Sequence, residues 1–494
     1  MNFSNSAALL TGSVSDSCAH IAWSNDASWV RGAAPWPGPA TPPPAWVRNL
    51  SIYELNPRAY TSPAGAGDGS GSGTWASLTE RLPHLSGLGV TGLWVAGSAL
   101  AETHFYGIWT TYATKDVRTL DPSLGSPQDF AAFVAAAHAS GMRVFLDVTT
   151  HGICNDSALI AEHPDWFFGS SWGMTDFDYS NANFTAFWSS VWVEWVLRYN
   201  VDGFRLDIAD SDGELAGFDA AARAGAAAGH PIAVFGETRR YHFMQHDTTF
   251  SPAAWRDLVA QFAPSPCFET LQFSCHDSGW ESGPGNYFTL RGSRAWLGYA
   301  GVFGFQIPLF MSGEEFDEDP VVGLPDLTKN LYGGGGPGGW LYGTQRQWAQ
   351  LGNASKAAML ADASAMFAIA RAHADVLHRD RCSTAIARVP VTPPPEAAEY
   401  SAVPYARFIA GIKAVLVFAN ADTAADAHLT AAVPLADLGF ASTPFFSLTD
   451  LYGGGGQRRV SAQQLAALDV VVPRDKTPRG GLAVLLLEPE ADGL

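Results

Sequence analysis

Short apolar runs alternate with amphipathic stretches along the chain between residues 49 and 380. The runs have the length of β-strands, and several intervening stretches place apolar residues at helical spacing. Such alternation predicts a parallel sheet, and about eight strand–helix units predict a closed barrel. We therefore predict an α/β fold, a (β/α)8 TIM barrel. Its strands are predicted at residues 50–55, 90–95, 143–148, 201–207, 231–236, within 241–250, at 268–273 and at 302–310.

Helices are predicted between these strands. Ser126 and Pro127 are typical of the first residues of a helix, and an apolar face follows them. A second helix is predicted over residues 75–88, although Pro83 interrupts its pattern. The connection at about 152–183 is too long for an ordinary barrel loop, so it predicts a short excursion after the third strand.

Both ends of the chain differ from this alternating pattern. Residues 35–44 are Pro-rich, which is typical of an extended linker. Beyond residue 380, β-rich stretches are separated by turn-rich segments, and this predicts an antiparallel β-sandwich. The predicted organisation is an N-terminal segment at 1–48, a barrel at 49–380 with its excursion at about 152–183, and a C-terminal sandwich at 381–494.

Composition and charge narrow the classes of partner. Of 494 residues, 47% are hydrophobic and 16% are charged, which suits a globular protein with ordered loops. The net charge of −19 argues against nucleic acid or an anionic membrane as a partner, because both attract basic patches. No apolar stretch reaches the roughly 18 residues of a transmembrane helix. The N-terminus lacks the features of a signal peptide, which predicts a cytoplasmic protein; nothing indicates an oligomeric state.

The cysteines are few and scattered. No CxxC pair and no close Cys/His cluster occurs. We therefore expect neither a disulfide framework nor a zinc site. The five residues are Cys18, Cys154, Cys267, Cys275 and Cys382.

Three carboxylates follow successive predicted strands, namely Asp207, Glu237 and Asp277. Arg205 precedes Asp207 by two residues, so both side chains point to the same face of a strand. The C-terminal ends of barrel strands are where active sites lie. Retaining glycoside hydrolysis needs a nucleophilic carboxylate and a carboxylic acid roughly 5–5.5 Å apart, and crowding raises the pKa of the acid. One such residue could equally be a helix cap, but three in order favour a site.

Several motifs resemble those of the α-amylase superfamily of glycoside hydrolases, and they occur in the order typical of that family. The resemblance covers residues 49–380 and implies a retaining α-glycosidase that acts on α-glucosidic bonds in oligo- or polysaccharides. The motifs are GFRLD at 203–207, GET at 236–238, HD at 276–277, IYELNPRAY at 52–60, LDPSLGSPQDF at 120–130 and IPLFMSGEE at 307–315.

The resemblance implies a role for each matched residue. Asp207 is implied as the nucleophile that forms a covalent glycosyl-enzyme intermediate, and Arg205 as the partner that orients it. Glu237 is implied as the general acid and then the general base. Asp277 and His276 are implied to bind ring hydroxyls, with Asp277 favouring the distorted ring.

Three further residues resemble sugar contacts of the family. Tyr106 resembles the tyrosine that stacks under the sugar, and His104 resembles a neighbouring contact. An ordinary ordered loop would also explain both residues. His151 resembles the imidazole that contacts the 6-hydroxyl of the sugar, and a structural histidine at the barrel rim is the alternative.

The third-strand motif departs from the family. Thr150 stands where an Asn normally supplies an oxygen ligand to a structural calcium, and Asp210 and Ser211 replace a frequent Lys-His pair. Because calcium prefers about six to eight oxygen ligands, we predict no calcium at this place and expect no metal or cofactor. The acidic run at 314–319 predicts a solvated rim rather than a cation site.

Two other functions compete with hydrolysis. A transglycosylase or sugar isomerase of the same superfamily is one, because water and sugar acceptors compete for one intermediate. A catalytically silent scaffold that binds carbohydrate or a protein is the other, although such relatives usually lose a carboxylate. The expected partner is an α-glucan or oligosaccharide, with no nucleic acid and no membrane.

Overall fold

The computed structural model of the chain describes residues 35–62, 71–101, 111–245, 257–262, 266–272, 293–318, 346–395 and 402–490. No helix in this part of the chain is both long and apolar enough to span a bilayer. The strands are β1 (Ile52–Leu55), β2 (Gly92–Val95), β3 (Ala99–Ala101), β4 (Thr114–Leu120), β5 (Arg143–Thr149), β6 (Gly152–Ile153), β7 (Phe167–Ser171), β8 (Met174–Phe177), β9 (Gly203–Asp207), β10 (Ala233–Gly236), β11 (Phe243–Met244), β12 (Thr270–Gln272), β13 (Ile307–Met311), β14 (Ala385–Arg388), β15 (Val391–Thr392), β16 (Tyr405–Ile409), β17 (Lys413–Ala419), β18 (Ala427–Ala431), β19 (Phe445–Asp450), β20 (Gly456–Ser461), β21 (Leu468–Val472) and β22 (Leu482–Pro489). The helices are α1 (Pro57–Tyr60), α2 (Trp75–Thr79), α3 (Leu82–Leu88), α4 (Pro127–Ala139), α5 (Ala158–Glu162), α6 (Ala182–Tyr199), α7 (Asp212–Ala216), α8 (Asp219–Ala227), α9 (Ser293–Trp296), α10 (Ala354–Ala372) and α11 (Ala462–Leu465).

Eight parallel strands form the central sheet, in the order β11-β10-β9-β5-β2-β1-β13-β12. They make a nearly closed barrel, which confirms the predicted fold class. Two predicted elements differ in detail. The helix expected over 75–88 is two helices, with Pro83 in the first turn of α3, where a missing N–H costs little. The eighth strand, expected at 302–310, begins at Ile307, because the π-helix Leu297–Val302 is followed by a bend over residues 303–306.

Inward-facing positions of the barrel strands change from apolar to polar toward the C-terminal ends. Phe145, Phe235 and Phe243 belong to one buried cluster, and the rings of Phe235 and Phe243 stack 5.0 Å apart. Asp147 stands two residues further along β5, on the same face as Phe145, and Glu237 and Gln245 stand directly after the ends of β10 and β11. The apolar side chains therefore fill the N-terminal half of the barrel, and these polar side chains lie at its C-terminal end, called the upper end below.

The tight pairing of β9 and β10 depends on Gly203. A Cβ at this position would lie 1.7 Å from the carbonyl oxygen of Ala233. Glycine therefore allows the two backbones to approach. The pairing aligns Arg205 with Phe235 in β10, and Asp147 of β5 with Arg205 on the other side.

Replacing Gly203 with Ala should lower the free energy of unfolding by about 1–3 kcal/mol, because the added methyl group overlaps β10. Denaturant titration followed by tryptophan fluorescence measures the change. Gly87 in α3 is the matched control, since no atom lies within 4 Å of an added Cβ. Gly87→Ala should leave stability unchanged or raise it by about 0.5–1 kcal/mol. Equal stability of the two variants would contradict the packing argument.

The excursion after β5 contains its own small sheet. Strands β6, β8 and β7 pair antiparallel in that order, and α5 lies between β6 and β7 in the chain.

Near the N-terminal end, the Pro-rich segment lies against the barrel. Trp36 packs on Tyr241, with ring centroids 5.1 Å apart, and its indole N–H donates to Asp219 at 3.2 Å.

The C-terminal part forms the predicted antiparallel sandwich. One sheet has the order β14-β16-β17-β22-β19-β20, and the other has the order β15-β18-β21. A single buried cluster joins the two sheets: it contains Leu416 and Leu487 from the first, and Leu429 and Val470 from the second. The two sheets therefore share one core.

Cys267 and Cys382 form a disulfide bond, with their Cα atoms 4.8 Å apart. The sequence indicated no disulfide framework, and it did not predict this single bond. Spacing did not show the pair, because the two residues are 115 positions apart in the chain. Disulfides are rare in reducing compartments, so this bond counts against the cytoplasmic location, which stays a prediction.

Candidate active site

The guanidinium of Arg205 is fully buried at the upper end of the barrel and contacts three carboxylates. Its Nη1 lies 2.6 Å from Asp207 Oδ1 and 3.1 Å from Asp147 Oδ1. Its Nη2 lies 3.0 Å from Glu237 Oε2. The structure thus brings together Arg205, Asp207 and Glu237, three of the residues predicted from the sequence.

The backbone after β9 helps to place Glu237. The N–H of Glu237 donates to the carbonyl oxygen of Leu206 at 3.0 Å, which continues the pairing of β9 and β10. The N–H of Ile208 donates to Glu237 Oε2, also at 3.0 Å. Ile208 has a φ of 48°, a left-handed conformation that is costly for a β-branched residue. The strained turn therefore directs a backbone donor at Glu237.

Three aromatic or amide side chains complete the surroundings of Arg205. Gln245 Oε1 accepts from Arg205 Nε at 3.0 Å. Trp94 Nε1 and the Tyr112 hydroxyl donate to Asp147 Oδ2 at 2.9 and 2.5 Å. The Trp94 ring also lies under the guanidinium, 4.8 Å from its Cζ. The sequence analysis did not predict Trp94, Tyr112 and Gln245 as site residues. The inward-facing positions of Trp94 in β2 and of Gln245 directly after β11 could have indicated these two, and no comparable signal existed for Tyr112.

The electrostatics of this cluster favour retention of a proton. Burial raises the pKa of Asp207; Arg205 lowers it, and Glu237 and Asp147 raise it, so that it stands well above its usual range. Burial lowers the pKa of Arg205, but the charges of Asp147 and Glu237 raise it more, so the pKa stands well above its usual value. The guanidinium therefore stays charged. Three buried carboxylates around one cation can therefore hold one proton, as a nucleophile–acid pair requires.

His151 is buried beneath the excursion. Its ring lies 4.6 Å from the ring of Trp172, in the turn between β7 and β8, and its Nδ1 lies 3.9 Å from Asp176 Oδ1. Burial lowers the pKa of His151, and the nearby carboxylate of Asp176 opposes this change, so the ring is neutral near pH 7. In this structure the ring packs against protein, and its contact with a sugar stays a prediction.

Thr150 does not fit a calcium ligand. Its hydroxyl donates to the carbonyl oxygen of Asp207 at 2.7 Å and lies 3.2 Å from Glu214 Oε1. Among the described residues, one cluster of three potential metal-ligating side chains is found, and it lies elsewhere, around the disulfide. The residues around Thr150 therefore do not fit the family's calcium.

The acidic run after β13 is buried, so the expected solvated rim is wrong. Glu315 accepts hydrogen bonds at 3.0 Å from Tyr53 and from His84. Glu318 lies 2.7 Å from Arg346. These partners are distant in sequence, which is why a local acidic pattern indicated solvent. The buried acidic residues are Glu314, Glu315, Asp317 and Glu318.

Four predicted site residues lie outside the described residues. They include the third carboxylate and its neighbouring histidine, together with the two residues of the loop after β3. Their roles stay predictions. The residues are Asp277, His276, Tyr106 and His104.

The chain is similar to known proteins in sequence and in fold. The family described as alpha amylase, catalytic domain, matches residues 59–167. An α-amylase from Geobacillus thermoleovorans, solved in complex with acarbose, shares the fold with a TM-score of 0.66 at 14% identity, over 90% of this chain and 99% of that one. Residues 59–167 are thus similar to an α-amylase catalytic domain, and the fold of the chain is similar to that of solved α-amylases.

Curated proteins match shorter parts of the chain. The 1,4-alpha-glucan branching enzyme GlgB 2 of Xanthomonas euvesicatoria pv. vesicatoria is 32% identical over 209 residues, which cover 40% of this chain and 26% of that protein. The intracellular maltogenic amylase of Bacillus subtilis is 24% identical over 205 residues, 34% of either chain. The matched part thus spans about a quarter to a third of the length of these relatives.

Proposed function

We propose that this protein is a member of the α-amylase superfamily and a retaining α-glycosidase that hydrolyses α-glucosidic bonds in oligo- or polysaccharides. The observation that carries the proposal is the single buried guanidinium of Arg205, which contacts both Asp207 and Glu237. One guanidinium that spans two carboxylates suits the short separation of a retaining pair, roughly 5–5.5 Å. The acarbose complex of the Geobacillus relative supports an oligosaccharide as the substrate.

The first step forms a covalent intermediate. An oxygen of ionised Asp207 attacks the anomeric carbon while Glu237 donates its proton to the glycosidic oxygen, and the bond from carbon to that oxygen breaks. The leaving group departs as an alcohol. Arg205, 2.6 Å from Asp207, opposes the rise in the pKa of this carboxyl group and orients it for the attack.

The second step returns the enzyme to its starting state. Glu237, now ionised, removes a proton from water, and the resulting hydroxide displaces Asp207 from the anomeric carbon. Two inversions give net retention. Because Glu237 Oε2 already faces Arg205 and the Ile208 N–H, we assign the transferable proton to Oε1.

The remaining predicted residues contact the sugar in this proposal. Asp277 and His276 bind ring hydroxyls, and Tyr106 stacks under the ring with His104 beside it. His151 reaches the 6-hydroxyl only if Trp172 moves from its present contact, since the two rings lie 4.6 Å apart.

Transfer to a sugar acceptor is the second candidate function. The match to a branching enzyme, 32% identical over 209 residues, favours it, because branching joins one glucan chain to another. A glucan hydroxyl would then replace water in the second step. The scaffold alternative is weakened by the contacts of Arg205 with Asp207 and Glu237, which a silent protein does not need.

A substrate panel tests the proposal. The purified protein is incubated with maltose, maltotriose, trehalose, sucrose and soluble starch, and the anomeric configuration of the first product is followed by proton NMR. We expect α-configured glucose or maltose from an α-1,4-linked substrate. Longer oligosaccharides as main products would favour transfer. A β-configured first product would contradict retention, and binding without turnover would favour the scaffold.

A further inference from the structure

A chain of hydrogen bonds connects the end of β5 with the backbone behind the proposed nucleophile. The Thr150 hydroxyl donates to the carbonyl oxygen of Asp207 at 2.7 Å and lies 3.4 Å from that of Ile208. The same hydroxyl lies 3.2 Å from Glu214 Oε1. Thr150 is fully buried, and Glu214 is only 1% exposed. These contacts link a buried carboxyl group to the peptide groups that follow β9.

The number of protons decides the charge state of Glu214. The Thr150 hydroxyl has one proton, and the carbonyl oxygen of Asp207 can only accept it. The contact between Thr150 and Glu214 is then a hydrogen bond only if Glu214 donates, which requires a proton on Oε1. Its other oxygen, Oε2, accepts the N–H of Ser211 at 2.5 Å. A neutral carboxylic acid satisfies every one of these contacts.

The groups around Glu214 favour the same state. Burial raises the pKa of Glu214 to about 8; hydrogen bonds from Ser211 and Thr150 oppose this change, and the charge of Asp210 adds to it. Tyr179 faces the pair from the segment before α6, and its hydroxyl donates to Thr150 O at 2.7 Å. Burial holds the pKa of Tyr179 well above its usual range, so it stays neutral.

The cation at this rim is engaged with other groups. Arg239 Nη2 lies 2.6 Å from Asp212 Oδ1, and its Nη1 donates to the carbonyl oxygen of Asp210 at 3.2 Å. The hydrogen bond from Arg239 lowers the pKa of Asp212, so this carboxylate is ionised near pH 7. The Arg239 guanidinium is thus bound by the Asp212 carboxylate and the Asp210 carbonyl oxygen.

We propose that Glu214, as a neutral carboxylic acid, acts through Thr150 as a positioning residue for Asp207. The pair holds the carbonyl groups of Asp207 and Ile208 in place through the Thr150 hydroxyl. It thereby stabilises the left-handed Ile208 whose N–H faces Glu237. If Glu214 loses its proton, the single proton of Thr150 is drawn to the carboxylate, and the Asp207 carbonyl loses its donor.

Three variants separate positioning from simple packing. Glu214→Gln keeps a donor toward Thr150 and an acceptor for Ser211, so it imitates the neutral acid at every pH. Thr150→Val keeps the shape but removes the hydroxyl, and we expect turnover to fall about tenfold with little change in KM. Glu194→Gln is the matched control, because Glu194 is exposed on α6 and pairs only with Arg198 among the contacts described.

Stability against pH tests the neutral state without any activity. In the folded chain the pKa of Glu214 is about 8, against an ordinary value of 4.5. Between these values the unfolded chain binds fewer protons than the folded one, so wild-type stability falls relative to Glu214→Gln as pH rises. We expect the difference in Tm between the two proteins to grow from pH 5 to pH 8 and then level. The Glu194→Gln control should show no such trend, and a constant difference for Glu214→Gln would overturn the neutral acid.

Activity against pH tests the positioning itself, and this arm rests on the proposed function. An α-glucosyl fluoride is the substrate, because fluoride leaves without a general acid and the titration of Glu237 does not limit the first step. Wild-type turnover should fall above about pH 8, whereas Glu214→Gln should stay level. Parallel profiles would overturn positioning. Absence of turnover in every protein would count against the proposed function alone, since the Tm comparison remains decisive for Glu214.

Discussion

Replacing Asp207 with Asn should lower turnover of the cleaved α-glucoside by about four orders of magnitude or more, because the amide cannot form the covalent intermediate. The fold should survive. Asp207 is one of three carboxylates around Arg205, and a neutral side chain at this position leaves Asp147 and Glu237 to pair with the buried cation. Steady-state kinetics of the purified variant measure the loss, and a thermal melt checks the fold.

A matched change elsewhere controls for the loss of a carboxylate. Asp437 is exposed in the C-terminal part, and Asp437→Asn should leave turnover and Tm unchanged. If Asp207→Asn retained activity close to that of the wild type, the assignment of the nucleophile would fail. If the variant did not fold, covalent trapping of the wild type and peptide mapping of the labelled residue would still identify the nucleophile.

Replacing Glu237 with Gln should slow hydrolysis of unactivated α-glucosides by about 10²–10⁴-fold, since proton transfer to the leaving oxygen is lost. With α-glucosyl fluoride the first step should be much less affected. The second step needs Glu237 as a base, so the covalent intermediate should accumulate. Mass spectrometry of the quenched protein should then show one added glucosyl unit.

The same control, Glu194→Gln, should show neither effect, because this side chain is 62% exposed on α6. Equal rate losses for Glu237→Gln with both kinds of substrate, and no added mass, would mean that Glu237 is not the acid. Glu237 would then be a structural partner of Arg205, which it contacts at 3.0 Å.

Much of the barrel follows from local pattern. The run that ends in Arg205 and Asp207 predicted β9, and Ser126 with Pro127 predicted the start of α4, which begins one residue after its capping Ser126. The beginning of β13 could not be predicted. An apolar run alone does not distinguish a buried strand from the buried bend over residues 303–306, which follows the π-helix Leu297–Val302.

The site likewise has a part that the sequence predicted and a part that it did not. The spacing of Arg205 and Asp207 places them on one face, and this part of the site is local. Gln245 and Trp94 reach Arg205 only because the barrel curves, so no spacing along the chain indicated their contacts. The burial of Glu315 depends on Tyr53 and other partners that lie more than two hundred residues away. Long-range partners such as these are invisible to periodicity.

The disulfide between Cys267 and Cys382 makes the chain between them a covalent ring. This ring contains β12, β13 and α10, so it carries the last two strands of the barrel and the long helix that follows them. Closing a ring of this length removes conformations from the unfolded chain and stabilises the fold by about 2–5 kcal/mol. A single cut of the peptide within the ring would leave the two pieces joined. The integrity of the barrel is therefore protected by topology as well as by packing.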